Sequence, residues 1–145
     1  ELHAYLTILF DAKPDGWTLA PPLVWTYRNT LGPAPSHDYK LNWQACFYLY
    51  GPNAPALDCP LMTEQFAVQD VNAPDGRQGT RIHAWQKPDE LAERIVRHAS
   101  RPGDLVLDPF SGTGTFAVAA CRLGRLAMGC EADPEMFALY EGRQG

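Results

Sequence analysis

The sequence predicts an α/β fold, with a mostly parallel sheet and helices on both faces. Three features of its second half carry this prediction: an amphipathic helix over 88–100, two short apolar strands, and a glycine-rich turn between the first strand and the next helix. A strand, a glycine loop, a helix and a strand in this order form the first half of a nucleotide-binding unit. The 145 residues are predicted to form a single domain, 1–145.

The first half of the chain has a less regular pattern. Residues 1–10 fit an amphipathic helix that places four apolar residues on one face: Leu2, Leu6, Leu9 and Phe10. A Lys-Pro-Asp-Gly turn follows at 13–16. Short strands are predicted within three apolar stretches, separated by polar loops: 17–25, 43–50 and 64–71.

The second half shows clearer boundaries. Pro88 fits the first position of the helix over 88–100, and the spacing predicts two ion pairs on its surface, Glu90–Arg94 and Glu93–Arg97. Strands are predicted over 104–108 and 126–131. The remaining helices are predicted over 115–123, capped by Gly124, and from 134 to 141.

Composition limits the classes of function. Seventeen acidic and 12 basic residues give a net charge of −5, which is unusual for a chain that coats nucleic acid. No apolar run approaches the roughly 18–20 residues that span a membrane. The four cysteines lack a C-x-x-C pair and the histidines complete no metal pattern, which predicts no metal and buried, reduced thiols in a cytoplasmic protein: Cys46, Cys59, Cys121 and Cys130.

The motif with the most chemical content is Asp108-Pro109-Phe110-Ser111-Gly112-Thr113-Gly114-Thr115. Its glycines allow a tight turn and a close approach of a ligand to the backbone, and the helix that follows offers free N–H groups. Glu131 ends the next strand, nineteen residues after Gly112. A carboxylate at this point can accept hydrogen bonds from both hydroxyls of a ribose.

The glycine spacing leaves more than one ligand open. Gly112-x-Gly114-x-x-Ala117 also fits the fingerprint of a dinucleotide-dependent oxidoreductase, and a glycine turn without a ligand is a third interpretation. Asp108 favours a ligand that carries an amine over one that carries a pyrophosphate, because an acid beside a pyrophosphate is unfavourable. Pro109 and Phe110 offer an apolar wall to an uncharged adenosine.

Three segments resemble motifs of the amino-group DNA methyltransferases, which methylate adenine N6 or cytosine N4. Residues 83–91 resemble H-x-x-Q-K-P-x-x-L, residues 108–115 resemble D-P-F-x-G-S/T-G-T, and residues 129–135 resemble G-x-E-x-D-P-E. They occur in the family's order, and the likeness covers about 81–141. The late position of the glycine loop resembles the permuted class of this family.

The resemblance implies a Rossmann-like, S-adenosylmethionine-dependent methyltransferase fold, incomplete at its N-terminus. Residues 83–145 would form the cofactor-binding half, and residues 1–82 the end of the catalytic half with short target-recognition loops. It also implies DNA as partner, no membrane, and a prokaryotic or phage-encoded cytoplasmic protein. The residues that it assigns to S-adenosylmethionine are His83, Gln86, Lys87, Asp108, Pro109, Phe110, Ser111, Gly112, Thr113, Gly114, Thr115, Glu131 and Asp133.

Several of these residues have simpler alternatives. Thr115 and Asp133 each fit the N-cap of the helix that follows. Four loop cations are candidate contacts to DNA phosphates, with solubilising surface charge as the alternative: Arg28, Lys40, Arg77 and Arg81.

The family's catalytic loop, (D/N/S)-P-P-(Y/F/W), does not occur in these residues. Pro21-Pro22 is flanked by Ala20 and Leu23, which supply neither the polar nor the aromatic group. The catalytic residues are therefore unknown, and we expect the loop before Glu1 or on a partner chain. A non-catalytic cofactor-binding domain and one half of a two-chain enzyme remain the alternatives.

Overall fold

The computed structural model describes residues 7–8, 11–29 and 35–143. Within these ranges the strands are β1 (Thr18–Leu19), β2 (Leu23–Thr26), β3 (Trp43–Cys46), β4 (Leu49–Tyr50), β5 (Val68–Asp70), β6 (Leu105–Asp108) and β7 (Leu126–Gly129). The complete helices among them are α1 (Asp89–Ala99), α2 (Thr115–Arg122) and α3 (Pro134–Glu141), with 3-10 turns at Met62–Gln65 and Gly76–Gln78. Residues 7–8 and 11–12 are helical, whereas Leu2, Leu6, Leu9 and Phe10 of the predicted first helix lie outside the described residues.

The predicted α/β class is confirmed, and the described strands divide among three sheets. β2 lies between antiparallel β3 and parallel β5, β6 pairs with parallel β7, and β1 pairs with antiparallel β4. The strand predicted over 43–50 is split because β3 pairs with β2 while β4 pairs with β1. The strand predicted over 64–71 begins late, since Gln69 Nε2 donates to the carbonyls of Glu64 and Phe66 and the chain before it turns.

Helix α1 joins the two halves of the chain. One side of it places Leu91 against Trp25 and Val71. Its neighbouring side places two residues against small residues of α2, in a cluster formed by Ala92, Val96, Ala119 and Ala120. The alanines allow the two helices to approach closely, so α1 fixes the position of the glycine loop that precedes α2.

The details of α1 differ from the sequence-based predictions. Pro88 is the N-cap and the helix begins at Asp89. The Glu90–Arg94 pair is confirmed at 2.5 Å, but the Glu93–Arg97 prediction is wrong. Glu93 contacts Arg122 and Arg97 contacts Glu64, because tertiary packing brings these partners to the helix surface.

The predicted burial of the cysteines is also wrong. Cys59 is half-buried and the other three are exposed: Cys46, Cys121 and Cys130. Cys121 lies on α2, Cys46 is the last residue of β3, and Cys130 follows β7. None of the helices in the described ranges is long and apolar enough to cross a membrane.

One face of the β6–β7 pair carries large apolar side chains that remain exposed. Val106 and Ala127 pack toward the α1–α2 cluster. The alternate residues on the opposite face are each more than half exposed and lie side by side in register: Leu105, Leu126, Leu107 and Met128. This face of the β6–β7 pair is therefore uncovered within the described residues.

Candidate functional site

The carboxyl ends of β6 and β7 bring the glycine loop and the acid together. Glu131 Oε2 accepts a hydrogen bond from the Gly112 N–H at 2.7 Å, and Oε1 accepts one from the Asp133 N–H at 2.9 Å. The Asp133 and Gly112 N–H groups hold the pKa of Glu131 below its usual value. The loop therefore has an ionised carboxylate at its mouth, at the sheet edge where α/β folds bind ligands.

Backbone contacts anchor the start of the loop. The Ser111 N–H and hydroxyl both donate to the Cys130 carbonyl, at 2.9 and 3.1 Å, and the Cys130 N–H donates to the Asp108 carbonyl at 3.0 Å. Asp108 Oδ1 accepts from the Phe110 N–H at 3.2 Å. Ser111 is buried, so its hydroxyl holds the loop to the end of β7.

The two glycines of the loop serve different purposes. Both have positive φ, +51° at Gly112 and +71° at Gly114. Among the residues that the structure describes, a Cβ on Gly112 would come within 4 Å of Met136 Cε alone, at 3.6 Å, which leaves room for a ligand beside the backbone. A Cβ on Gly114 would lie 1.9 Å from Cδ2 of Tyr140, so this glycine is required by packing within the chain.

An exposed apolar surface adjoins Gly112. Phe110 is 89% exposed, and Pro109 beside it is also exposed. An aromatic ring left in solvent next to a glycine turn is a suitable surface for a planar ligand group.

Arg143, which the sequence reasoning missed, connects the glycine loop to α1. Its Nη1 donates to the Thr113 carbonyl and the Thr115 hydroxyl, at 3.1 and 3.0 Å, and its Nη2 donates to Asp89 at 2.5 Å. Arg143 lies 54 residues from Asp89 in the chain, and no local pattern could have indicated this contact.

The helix caps show whether Thr115 and Asp133 have the N-cap role that the sequence left open for each of them. Gly114 is the N-cap of α2 and makes no side-chain cap, so the N-cap role of Thr115 is wrong. Thr115 is the first residue of the helix, where its hydroxyl accepts from Arg143. Asp133 is confirmed as the N-cap of α3, because Oδ1 accepts from the Glu135 and Met136 N–H groups.

The 83–87 segment lies beside a cavity of about 290 Å³, here called the Lys87 cavity. The described residues that line it come from 25–29, 40–44 and 73–87 and include Gln86 and Lys87. His83 Nδ1 accepts from the Trp85 N–H at 3.2 Å, which shapes the turn into the cavity. Burial lowers the pKa of Lys87, whose Nζ lies 6.0 Å from the centre of the Trp25 ring.

The structure separates the four cations predicted for DNA. Arg28 pairs with Asp70 at 2.9 Å, and Arg77 pairs with the buried Asp75 at 2.7 Å. Lys40 and Arg81 line the Lys87 cavity together. Two of the four cations are thus paired with acids, and the other two line one cavity.

Comparison with known proteins identifies the family. The sequence model of the DNA methylases matches residues 4–141. The chain belongs to the DNA methylase family. This confirms the resemblance drawn from the three motifs of the second half.

Two curated relatives of this DNA methylase chain match over 61 residues. The type II methyltransferase M1.MboII of Moraxella bovis is 46% identical, over 42% of this chain and 24% of that protein. The type II methyltransferase M2.DpnII of Streptococcus pneumoniae is 44% identical, over 42% of this chain and 23% of that protein. The match thus spans about a quarter of the length of these relatives.

Solved structures share the fold of this DNA methylase chain almost throughout. The M1.HpyAVI–SAM complex superposes with a TM-score of 0.78 at 24% identity, over 99% of this chain and 69% of that one. The cytosine-N4-specific PvuII DNA methyltransferase gives 0.79 at 21% identity, over 99% and 57%. TTHA0409 of Thermus thermophilus, complexed with S-adenosylmethionine, gives 0.67 at 27% identity, over 98% and 58%. The predicted Rossmann-like methyltransferase fold is confirmed.

Proposed function

We propose that this chain forms the cofactor-binding part of an S-adenosylmethionine-dependent DNA methyltransferase that acts on adenine N6 or cytosine N4. The observation that carries the proposal is the contact between the Gly112 N–H and the Glu131 carboxylate. It places a hydroxyl-binding acid beside the one loop glycine whose Cβ space is open. Membership of the DNA methylase family supports the same assignment.

The residues present fit the cofactor. Glu131 can accept hydrogen bonds from ribose hydroxyls, the Phe110 ring can cover a purine, and the open side of Gly112 admits the ligand. Pro109 extends the exposed apolar surface beside Phe110. The other predicted cofactor residues of the loop hold its shape: Asp108, Ser111, Thr113, Gly114 and Thr115. When bound, the cofactor supplies an electrophilic methyl group, and this chain's residues bind and orient it.

The charge at the site favours this cofactor over a dinucleotide. Asp108 ends β6, and Glu131 lies two residues after the end of the parallel strand β7, so the loop lies between two acids. Two acids suit a ligand with a sulfonium and an amine, and they disfavour the pyrophosphate of NAD. The dinucleotide oxidoreductase is therefore the weaker candidate.

The group that holds the target base comes, in this proposal, from polypeptide outside these residues. The exposed apolar face formed by Leu105, Leu107, Leu126 and Met128 supports this, because such a face is normally covered by another layer of a domain. DNA is the substrate, and the base leaves the stack to reach the cofactor. We also propose that the protein acts in the cytoplasm of a prokaryote.

Calorimetric titration with S-adenosylmethionine and with NAD tests cofactor choice. We expect S-adenosylmethionine to bind, and Glu131→Gln to weaken it by about 1–3 kcal/mol, or roughly 5- to 150-fold. Glu141→Gln, which changes an exposed carboxylate at the end of α3, serves as the matched control. Preferential binding of NAD would overturn the assignment.

A methylation assay with labelled cofactor and mixed-sequence DNA tests whether this chain transfers the methyl group by itself. We expect the 145-residue chain alone to bind the cofactor without transferring the methyl group, because no (D/N/S)-P-P-(Y/F/W) loop holds the target nitrogen at about 3–3.5 Å. Adding a segment that contains a (D/N/S)-P-P-(Y/F/W) loop to the same protein is expected to restore turnover. Robust turnover by the chain alone would show that a catalytic group is present in it.

A further inference from the structure

The Lys87 cavity has an unusual charge for a chain with a net charge of −5. Three basic side chains line it, Lys40, Arg81 and Lys87, against a single acid, Asp75. The neighbouring cavity, of about 720 Å³, reverses this pattern, with three acids and one cation: Asp70, Asp89, Glu90 and Arg28. Positive charge is therefore concentrated on one side of the segment formed by Ala73 and Pro74.

The single acid of the cavity is already engaged. Asp75 accepts hydrogen bonds from the backbone and guanidinium of Arg77, and its own N–H donates to the Thr80 hydroxyl. The Arg77 guanidinium holds the pKa of Asp75 below its usual range. Asp75 is thus compensated chiefly by Arg77, which does not line the cavity, with a smaller electrostatic contribution from Arg81.

Lys87 and Arg81 have no hydrogen bond or ion pair to another residue in the described ranges 7–8, 11–29 and 35–143. Lys87 is nevertheless half-buried, and its ammonium group lies 6.0 Å from the centre of the Trp25 ring. A partly buried ammonium without a carboxylate is costly unless a ligand supplies the negative charge. The geometry fits an anionic ligand.

The rim of the cavity adds an aromatic surface. Trp85 is 77% exposed, although it is large and apolar. The backbone N–H of Trp85 donates a hydrogen bond to His83 Nδ1, which orients the backbone at this point. An exposed tryptophan beside two cations is the combination that proteins use to stack a base and bind the neighbouring phosphate.

We infer that the Lys87 cavity binds one nucleotide of the DNA, with its phosphate on Lys87 and Arg81 and a base stacked on Trp85. The inference rests on DNA being the substrate and goes beyond the cofactor site. Lys87 is then a DNA-binding residue, in place of the cofactor contact predicted from the sequence. A volume of about 290 Å³ lies near the lower end of small-ligand sites.

Fluorescence anisotropy with a labelled single strand of about 12 nucleotides, at several salt concentrations, tests this on the protein that carries this chain. We expect Lys87→Gln and Arg81→Gln each to lower the salt slope of the association constant by about 0.7. Trp85→Ala weakens binding by about 5- to 150-fold, and Trp85→Phe retains most of it. Lys13→Gln, which removes a cation that does not line the cavity, leaves the slope unchanged.

Titration of each variant with S-adenosylmethionine separates the two proposals. Wild-type cofactor affinity together with the lost salt slope supports the inference. A wild-type slope in both Lys87→Gln and Arg81→Gln overturns it, whether or not the cofactor binds. A loss of cofactor affinity in Lys87→Gln with unchanged DNA binding also overturns it, and assigns Lys87 to the cofactor. Failure of the wild-type chain to bind the cofactor, with DNA binding still dependent on Lys87, overturns the proposed function alone.

Discussion

The ring of Tyr140 lies directly over the α-carbon of Gly114, so close that a Cβ there would be 1.9 Å from Cδ2. Tyr140 is buried with Ala117 and Val118, and this contact seats α3 on the start of α2. The second glycine of the loop therefore stabilises the fold, while Gly112 is the one that remains open to a ligand.

Gly114→Ala is expected to destabilise the chain by about 2–5 kcal/mol. A left-handed backbone costs about 1–2 kcal/mol for a residue with a Cβ, and overpacking against the ring costs about 1–3 kcal/mol more. Urea unfolding measures the change in the free energy of unfolding.

Gly103 and Gly124 provide matched controls, because both have positive φ and neither has an atom within 4 Å of a built Cβ. Alanine at either position is expected to cost only the backbone term, about 1–2 kcal/mol. A cost at Gly114 no larger than at these two positions would contradict the packing role of Tyr140.

Glu131 is expected to give the chain a pH-dependent increment of stability. Its pKa in the folded state lies below the ordinary 4.5, chiefly because the Asp133 and Gly112 N–H groups donate to the carboxylate. The increment is fully present above pH 4.5 and is lost as the pH falls through the lowered pKa. The stability difference between wild type and Glu131→Gln should therefore shrink on acidification. A difference that stays constant while the carboxylate of Glu131 becomes protonated would show that these contacts do not act on the ionised form.

Arg143 is expected to matter more than Arg122, although both contact Asp89. The side chain of Arg143 is 13% exposed and also holds Thr113 and Thr115, whereas that of Arg122 is 52% exposed. Arg143→Gln should cost about 1–3 kcal/mol and weaken cofactor binding, because α1 is released from the glycine loop. Arg122→Gln should cost less than about 1 kcal/mol. Equal losses of thermal stability in the two variants would refute the bridging role.

Glu64 is expected to hold the 3-10 turn before β5 against the surface of α1. It is 9% exposed, and it accepts hydrogen bonds from Arg97 at 2.5 Å and from His98 at 3.1 Å. Glu64→Gln should cost about 1–3 kcal/mol, because two partly buried donors lose a charged acceptor. Glu90→Gln, which changes an exposed carboxylate paired with Arg94, should cost only about 0.3–0.5 kcal/mol. Chemical unfolding of both variants measures the two changes in the free energy of unfolding. A cost at Glu64 no larger than that at Glu90 would contradict the role of Glu64.

Local patterns were sufficient for the elements of the second half. The predicted span of the helix at 134–141 agrees with α3, and the glycine loop and Glu131 lie together as expected, although β7 ends at Gly129 and not at Glu131. These features depend on residues near each other in the chain, where periodicity, caps and turn residues carry the information. The first half was predicted less well, since the pairing partners of β3 and β4 lie in different sheets.

The sequence by itself determined the α/β class, the family motifs and the position of the candidate cofactor loop, because these are written in short segments with strong local preferences. The tertiary structure alone decided which glycine has space for a ligand and which cation pairs with which acid. It also decided that Lys87 lines the same cavity as Lys40 and Arg81. Those outcomes depend on contacts between residues tens of positions apart. Such contacts form only when helices and sheets pack, and no local pattern records them.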